Sequence, residues 1–180
     1  MNKGWKTDIF LSDRAFLGLN ISCIEVYARE CHGSLLGYHT PHRIVVEYAF
    51  PYQSAKRKPT QVEPNWRREL KVKDAVERMT QLQHVGYFHS HTQWGDSKAS
   101  VTLSAADREW ITAGQIEIIV AINQAKRRTN WYQTTLGELC GSLGEFHIRM
   151  AGYYKRKKRA MIVQYPILCP YALGFDYTFS

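Results

Sequence analysis

The segment HVGYFHSHTQWGDSKASVTLSAAD, residues 84–107, carries the signals of a strand, a loop and the start of a helix. His84 to His91 combines aromatic and β-branched residues, which favour strands, and Thr92 to Leu103 is a polar loop. Ser104 to Asp107 has the S-x-x-D pattern of a capping box and predicts the first turn of a helix. Ile116 to Asn123 is apolar and predicts a second, buried strand. A strand, a helix and another strand in succession indicate an α/β protein.

The rest of the chain alternates in the same way and predicts a mixed α/β (α+β) sandwich. Its 180 residues fit one domain and are too few for an αβ barrel, which takes about 250. We therefore predict a single domain over residues 1–180, with its core motifs in 10–155 and a C-terminal tail at 156–180. The predicted helices are Phe10–Glu30 and Asn65–Leu82, the other predicted strands are Gly33–Tyr38, Arg43–Phe50, Trp131–Leu139 and Gly144–Tyr154, and Gln53–Pro64 is predicted to be a loop.

The chain is basic, with 24 Lys and Arg against 16 Asp and Glu and a net charge of +8. A hydrophobic content of 44% argues against disorder. More than half of the basic residues fall in four runs, all but the second in predicted loops: Lys56–Lys58, Arg67–Arg68, Lys126–Arg128 and Lys155–Arg159. Such runs fit either a nucleic-acid-binding module or a basic rim that guides an acidic protein partner.

The four cysteines and the N-terminus indicate a cytoplasmic protein. No two cysteines are spaced as C-x-x-C, and the N-terminus lacks the apolar region of a signal peptide. The most apolar stretch, Ile116–Ile122, is far short of the roughly 20 residues that span a bilayer. We expect reduced thiols, with Cys31 and Cys140 buried and inert, and no membrane contact.

Three residues of the opening segment predict a metal site. His89 and His91 project from the same face of a strand, so both imidazoles can bind one ion. Asp107, in the first turn of the following helix, can add a carboxylate oxygen. Two histidines and one aspartate leave the fourth tetrahedral position open, as in catalytic zinc sites. Each motif also has a plainer interpretation, because an H-x-H pair is common on strands and Ser104 and Asp107 can act only as a helix cap.

Together these motifs resemble those of the JAMM (MPN+) metalloproteases. The pattern comprises Glu30 before a glycine-flanked strand (Gly33 to Gly37), then Gly86-Tyr-Phe-His89-Ser-His91, then Ser104-x-x-Asp107. The resemblance implies an MPN-like, cytidine-deaminase-like sheet flanked by helices. It also implies one zinc ion per chain on His89, His91 and Asp107.

The resemblance assigns catalytic roles to two further residues. Glu30 is implied to be the general base that takes a proton from water and returns it to the leaving amine. Ser104 is implied to donate to the tetrahedral intermediate. Glu25, the rival base, lies within the predicted helix and lacks the spacing to the glycines, so we expect it to be a solvated charge.

The implied activity is that of a zinc-dependent peptidase or isopeptidase acting at the C-terminus of ubiquitin or a ubiquitin-like modifier. The short chain resembles prokaryotic members, some of which serve ubiquitin-like or antiviral conjugation systems. It departs from the family pattern in two places, with Thr92 in place of the usual proline and a longer loop, Thr92–Leu103, before Ser104. A non-catalytic scaffold or a nucleic-acid-binding module on the same fold remains the alternative.

Overall fold

A ten-stranded sheet runs through the computed structural model, which describes residues 7–53, 56–58, 61–63, 65–79, 81–157 and 161–174. The strands are β1 Asp8–Leu11, β2 His32–His39, β3 Arg43–Pro51, β4 Lys56–Lys58, β5 Gln61–Glu63, β6 Gln83–Thr92, β7 Ile116–Gln124, β8 Tyr132–Gln133, β9 Leu139–Leu143, β10 Phe146–Lys155, β11 Ile162–Tyr165 and β12 Ile167–Leu168. The helices are α1 Asp13–Glu25, α2 Trp66–Met79, α3 Ala105–Trp110 and α4 Pro170–Gly174.

The order of strands in the sheet is β12-β1-β3-β2-β6-β7-β10-β9-β8, and β11 pairs with β10. β6 lies at the centre, parallel to β7 and antiparallel to β2. β4 and β5 form a separate hairpin. The predicted mixed α/β class is confirmed by this arrangement of one large sheet with helices.

The first predicted helix is correct in type but wrong at both ends. Helix α1 begins at Asp13 and ends at Glu25. Ser12 is its N-cap, because the Ser12 hydroxyl accepts a hydrogen bond from the Ala15 N–H. The residues before Ser12 form β1 instead, because Ile9 and Leu11 are fully buried in alternation and pair with β3.

Two further predictions were also wrong, one of a loop and one of a single uninterrupted strand. The predicted loop Gln53–Pro64 contains the short hairpin β4–β5. The predicted strand Trp131–Leu139 is two strands, β8 and β9, because the Gly137 N–H bonds the Thr134 carbonyl in a turn where Gly137 takes a φ of 83°.

The predicted tail 156–180 adds two strands and a helix to the fold. β12 pairs in parallel with β1, and Ile167 and Cys169 are fully buried in the main core. This segment therefore completes the edge of the sheet next to β1, and periodicity missed it because both strands are short.

The glycines that flank β2 are required by close packing. A Cβ on Gly33 would lie 2.1 Å from the Phe50 carbonyl oxygen, and one on Gly37 would lie 1.8 Å from that of Val45. Both contacts are far inside the normal van der Waals limit, so only glycine allows β3 to approach β2 here.

The loop after β6 folds back on the sheet. Its residues Val101 and Leu103 are buried in a small apolar cluster with Ile111 and Ile119. Asn123 at the end of β7 exchanges two hydrogen bonds with the backbone of Ala99. This packing holds the start of α3 over β6. Among the described helices, none has the length and apolarity needed to cross a membrane.

Candidate metal centre

Strand β6 presents His89 and His91 on one face of the sheet. Their Nε2 atoms lie 3.1 Å apart, with His89 buried and His91 half-buried. The alternation of side chains along a strand places residues two apart on the same side. The pairing of the two imidazoles predicted from the H-x-H spacing is thus present in the structure.

Asp107 reaches the same point from the first turn of α3. Its Oδ1 lies 3.4 Å from Nε2 of His89, and its Oδ2 lies 3.8 Å from Nε2 of His91. One ligand atom from each of the three residues lies within 4.8 Å of the other two. Two imidazole nitrogens and a carboxylate oxygen are donors that suit zinc, so these residues fit the predicted ion.

A capping box fixes the position of Asp107. The Ser104 backbone N–H donates to Oδ2 of Asp107 at 2.7 Å, and the Asp107 N–H donates to the Ser104 hydroxyl at 3.1 Å. The capping interpretation of S-x-x-D is therefore confirmed. It is compatible with metal binding, because Oδ1 takes no part in the cap.

Two residues that the sequence analysis missed orient the imidazoles. The Nδ1–H of His89 donates to Oε1 of Glu117 at 2.7 Å, and the Nδ1–H of His91 donates to the Ser100 carbonyl at 2.6 Å. These bonds turn both Nε2 atoms toward Asp107, as outer partners of metal-binding histidines do. Glu117 is a lone charge in an apolar strand, and this pattern could have identified it from the sequence as a partner of the site. The role of the Ser100 carbonyl has no such signal, because every residue carries a backbone carbonyl.

The charges of the three residues are strongly coupled. Burial alone would lower the pKa of His89, but hydrogen bonds to Asp107 and Glu117 outweigh it and raise that pKa to about 10. The His89 and Ser104 hydrogen bonds hold the pKa of Asp107 well below its usual range, against the opposing effect of burial. Burial and the neighbouring His89 charge lower the pKa of His91. At neutral pH, therefore, only His89 of the two histidines carries a proton on Nε2.

Glu30 lies two residues before the start of β2 and lines the same cleft as the three residues. Burial raises the pKa of its carboxyl to about 7, with His89 acting to lower it and Asp107 to raise it further. This carboxylate can therefore gain and lose a proton near neutral pH. Glu25 is exposed at the end of α1, as expected of a solvated charge.

Ser104 also faces the cleft. Its oxygen accepts the hydrogen bond from the Asp107 N–H, and its hydroxyl also interacts with the Asp107 carboxylate, whose pKa it helps to lower. The structure thus brings all five predicted site residues into one cleft of about 750 Å³ between α2 and α3.

Two exposed tryptophans line the cleft. Trp66 of α2 and Trp110 of α3 line it and remain 63% and 57% exposed. Exposed tryptophans beside a concave site are typical of surfaces that bind another molecule.

The cysteines play no part in this site. All four are buried, and burial raises the pKa of Cys140 to about 11. A thiol with a raised pKa is a poor nucleophile, so the predicted inert role of Cys140 is supported.

Two of the basic runs lie far apart on the surface. Lys126–Arg128 follows β7 beside the start of β10, whereas Lys155 ends β10. β10 has ten residues, which separates the two runs by about 30 Å. Lys56–Lys58, predicted in a loop, forms β4, and residues 158 and 159 of the last run lie outside the described part. Lys126–Arg128 and Lys155 therefore do not form one continuous patch.

Binding of zinc is expected to release about one proton per ion at pH 7. The ion requires an unprotonated Nε2 on His89. Without metal, this imidazole has a pKa of about 10 and is therefore protonated at pH 7. Titration calorimetry in buffers of different ionisation enthalpy measures this number. A binding enthalpy that is the same in every buffer would contradict the protonation state assigned to His89.

Comparisons with known proteins bear on the fold. No protein-family model matches the chain, and no curated protein matches it. Its structure is similar to the solution structure of protein DSY2949 from Desulfitobacterium hafniense, with a TM-score of 0.64 and 14% sequence identity over 89% of this chain and 92% of the other. At this identity the similarity concerns the fold alone, and it places the present chain among proteins that share this α/β architecture.

Proposed function

We propose that this chain is a zinc-dependent hydrolase of peptide or isopeptide bonds, with an MPN-like fold of the JAMM type. The observation that carries the proposal is the convergence of His89, His91 and Asp107 in a cleft that also contains the Glu30 carboxylate. A ligand set of three residues on an open cleft is typical of catalytic zinc. Zinc bound there would polarise the scissile carbonyl and make water more acidic.

Glu30 acts as the general base and acid in this proposal. With a pKa of about 7 it can accept a proton from the attacking water and then deliver it to the leaving amine. Both transfers occur in the cleft that Glu30 shares with the zinc ligands, so one carboxylate serves both steps.

Ser104 stabilises the oxyanion in this proposal. Its position at the N-cap of α3 is fixed by the capping box, and rotation of its O–H away from the Asp107 carboxylate would direct the proton to the oxyanion. A hydroxyl donor held beside the reacting carbonyl stabilises developing charge.

The proposed substrate is the C-terminal tail of ubiquitin or a ubiquitin-like modifier in the cytoplasm. An extended tail fits an open cleft, and the exposed rings of Trp66 and Trp110 provide apolar walls for it. A net charge of +8 favours encounters with acidic protein surfaces.

The proposal is tested by cleavage of fusions in which ubiquitin, or a bacterial ubiquitin-like domain, precedes a short reporter peptide. Zinc-loaded protein is expected to cut at least one fusion directly after the terminal glycine, and a chelator is expected to abolish the reaction. Mass spectrometry of the products locates the cut. If every fusion stays intact, or if cutting persists with the chelator, the proposed function is wrong.

A further inference from the structure

We propose that Glu69 forms a subsite of the cleft that binds an arginine side chain of the substrate. The inference deepens the proposed function and rests on it, because the subsite shares its cleft with the candidate zinc ligands. It assigns a role in specificity to a residue outside the catalytic set.

Glu69 is a buried carboxylate that faces the cleft. It lies in the first turn of α2, and its side chain is only 10% exposed. Within the described part of the chain its Oε1 atom has no hydrogen-bond partner. The nearest ionisable group, Nε2 of His32, is 3.7 Å away, which is too far for a hydrogen bond. A buried carboxylate oxygen without a partner is costly, so it is expected to serve a ligand.

The subsite adjoins the candidate metal centre. His32 of β2 lies directly opposite His89 of β6 in the antiparallel ladder. Opposite residues in such a ladder have Cα atoms about 4.5–5.5 Å apart. A side chain within a few residues of the scissile bond of an extended substrate can therefore reach Glu69, since each residue advances about 3.3 Å.

Aromatic rings pack against His32, the neighbour of Glu69, and favour a planar cation. Tyr87 stacks on His32 with ring centroids 5.5 Å apart and an angle of 17°, and Tyr52 lies 5.6 Å away. Trp66 begins the helix that carries Glu69 and lines the same cleft. A guanidinium pairs with a carboxylate through two N–H groups and stacks on aromatic rings, whereas an ammonium is a compact point charge. These features select arginine over lysine.

The charges of the cleft lead to the same ligand. Four carboxylates line it in a protein that is otherwise basic: Glu30, Glu69, Asp107 and Glu117. Asp107 and Glu117 are both bonded to His89, so their charges are used within the metal centre. Glu69 is outside that network and keeps an acceptor for the substrate.

The test compares peptides that contain arginine with twins that contain citrulline, its neutral isostere. Each hexapeptide ends in Gly-Gly and carries a single arginine, or a single citrulline, at one of the four preceding positions. The peptides are titrated into zinc-loaded Glu30→Gln protein. At one position at least, arginine is expected to bind about tenfold or more tightly than citrulline. Adding Glu69→Gln is expected to remove this preference, whereas adding Glu77→Gln, on the same helix but more exposed, is expected to keep it.

The outcomes separate this inference from the proposed function. Three results would overturn the subsite even if fusions are cleaved. They are equal binding of both twins at every position, no binding of any peptide, and an arginine preference that survives Glu69→Gln. An arginine preference that depends on Glu69 supports the subsite even if no fusion is cleaved, in which case only the proposed reaction fails. The thermal midpoint of Glu69→Gln is expected to match or exceed that of the wild type, and a clear decrease would instead identify Glu69 as a structural partner of His32.

Discussion

Replacing Glu30 with glutamine is expected to lower the rate of cleavage by about 10²- to 10⁴-fold while the protein keeps its zinc. The amide has nearly the shape of the carboxylate but cannot accept the proton of the attacking water. Burial raises the pKa of this carboxyl from 4.5 to about 7. Ionisation of Glu30 therefore destabilises the metal-free fold increasingly as the pH rises from 4.5 to 7. The variant is therefore expected to fold at least as stably, and its defect appears in kcat rather than in folding.

Glu25→Gln is the matched control for this substitution. Glu25 is also a glutamate near the end of α1, but it is exposed and lies outside the cleft. Its replacement is expected to leave kcat unchanged within about twofold, since isolated surface charges have small effects. Full activity of Glu30→Gln, or equal losses in the two variants, would exclude Glu30 as the base.

Replacing Asp107 with asparagine is expected to weaken zinc binding by more than about a hundredfold. Loss of an outer partner of a metal ligand already costs about 10- to 100-fold in affinity, and Asp107 is itself a candidate ligand. The asparagine oxygen can still accept the Ser104 N–H, so the start of α3 is preserved. Cleavage is expected to fall in proportion to the bound zinc, as measured by a competitive chelator titration.

Glu109→Gln supplies the comparison on the same helix. Glu109 is exposed on α3 and does not line the cleft. It is expected to bind zinc with wild-type affinity. If Asp107→Asn binds zinc as tightly as Glu109→Gln, the carboxylate of Asp107 is not a ligand.

Short-range patterns in the sequence were sufficient for the elements that hold the candidate site. The H-x-H spacing placed two imidazoles on one face of β6, and S-x-x-D identified the capping box that begins α3. Both are local features, because strand alternation and helix capping depend on neighbours a few residues apart. The N-cap at Ser12 that begins α1 is a local feature of the same kind.

Features set by distant contacts were not accessible in this way. β1 and β12 are adjacent in the sheet although about 160 residues separate them in sequence, and each is too short to show a period. Glu69 is one of several charged residues in the predicted helix Asn65–Leu82, and only its contact with His32 shows that it is buried. The length of the loop before Ser104 was visible, but its burial through Val101 and Leu103 depends on β7 and β10.

The central claim is that one chain binds one zinc ion through His89, His91 and Asp107 and uses Glu30 beside it for catalysis. Elemental analysis of zinc, combined with cleavage rates for the wild type, Glu30→Gln and Asp107→Asn, tests it most directly. We predict about one zinc per chain with activity in the wild type, about one zinc without activity in Glu30→Gln, and a matching loss of zinc and activity in Asp107→Asn. A wild type that binds no zinc, or an Asp107→Asn protein that keeps both zinc and activity, would contradict the claim.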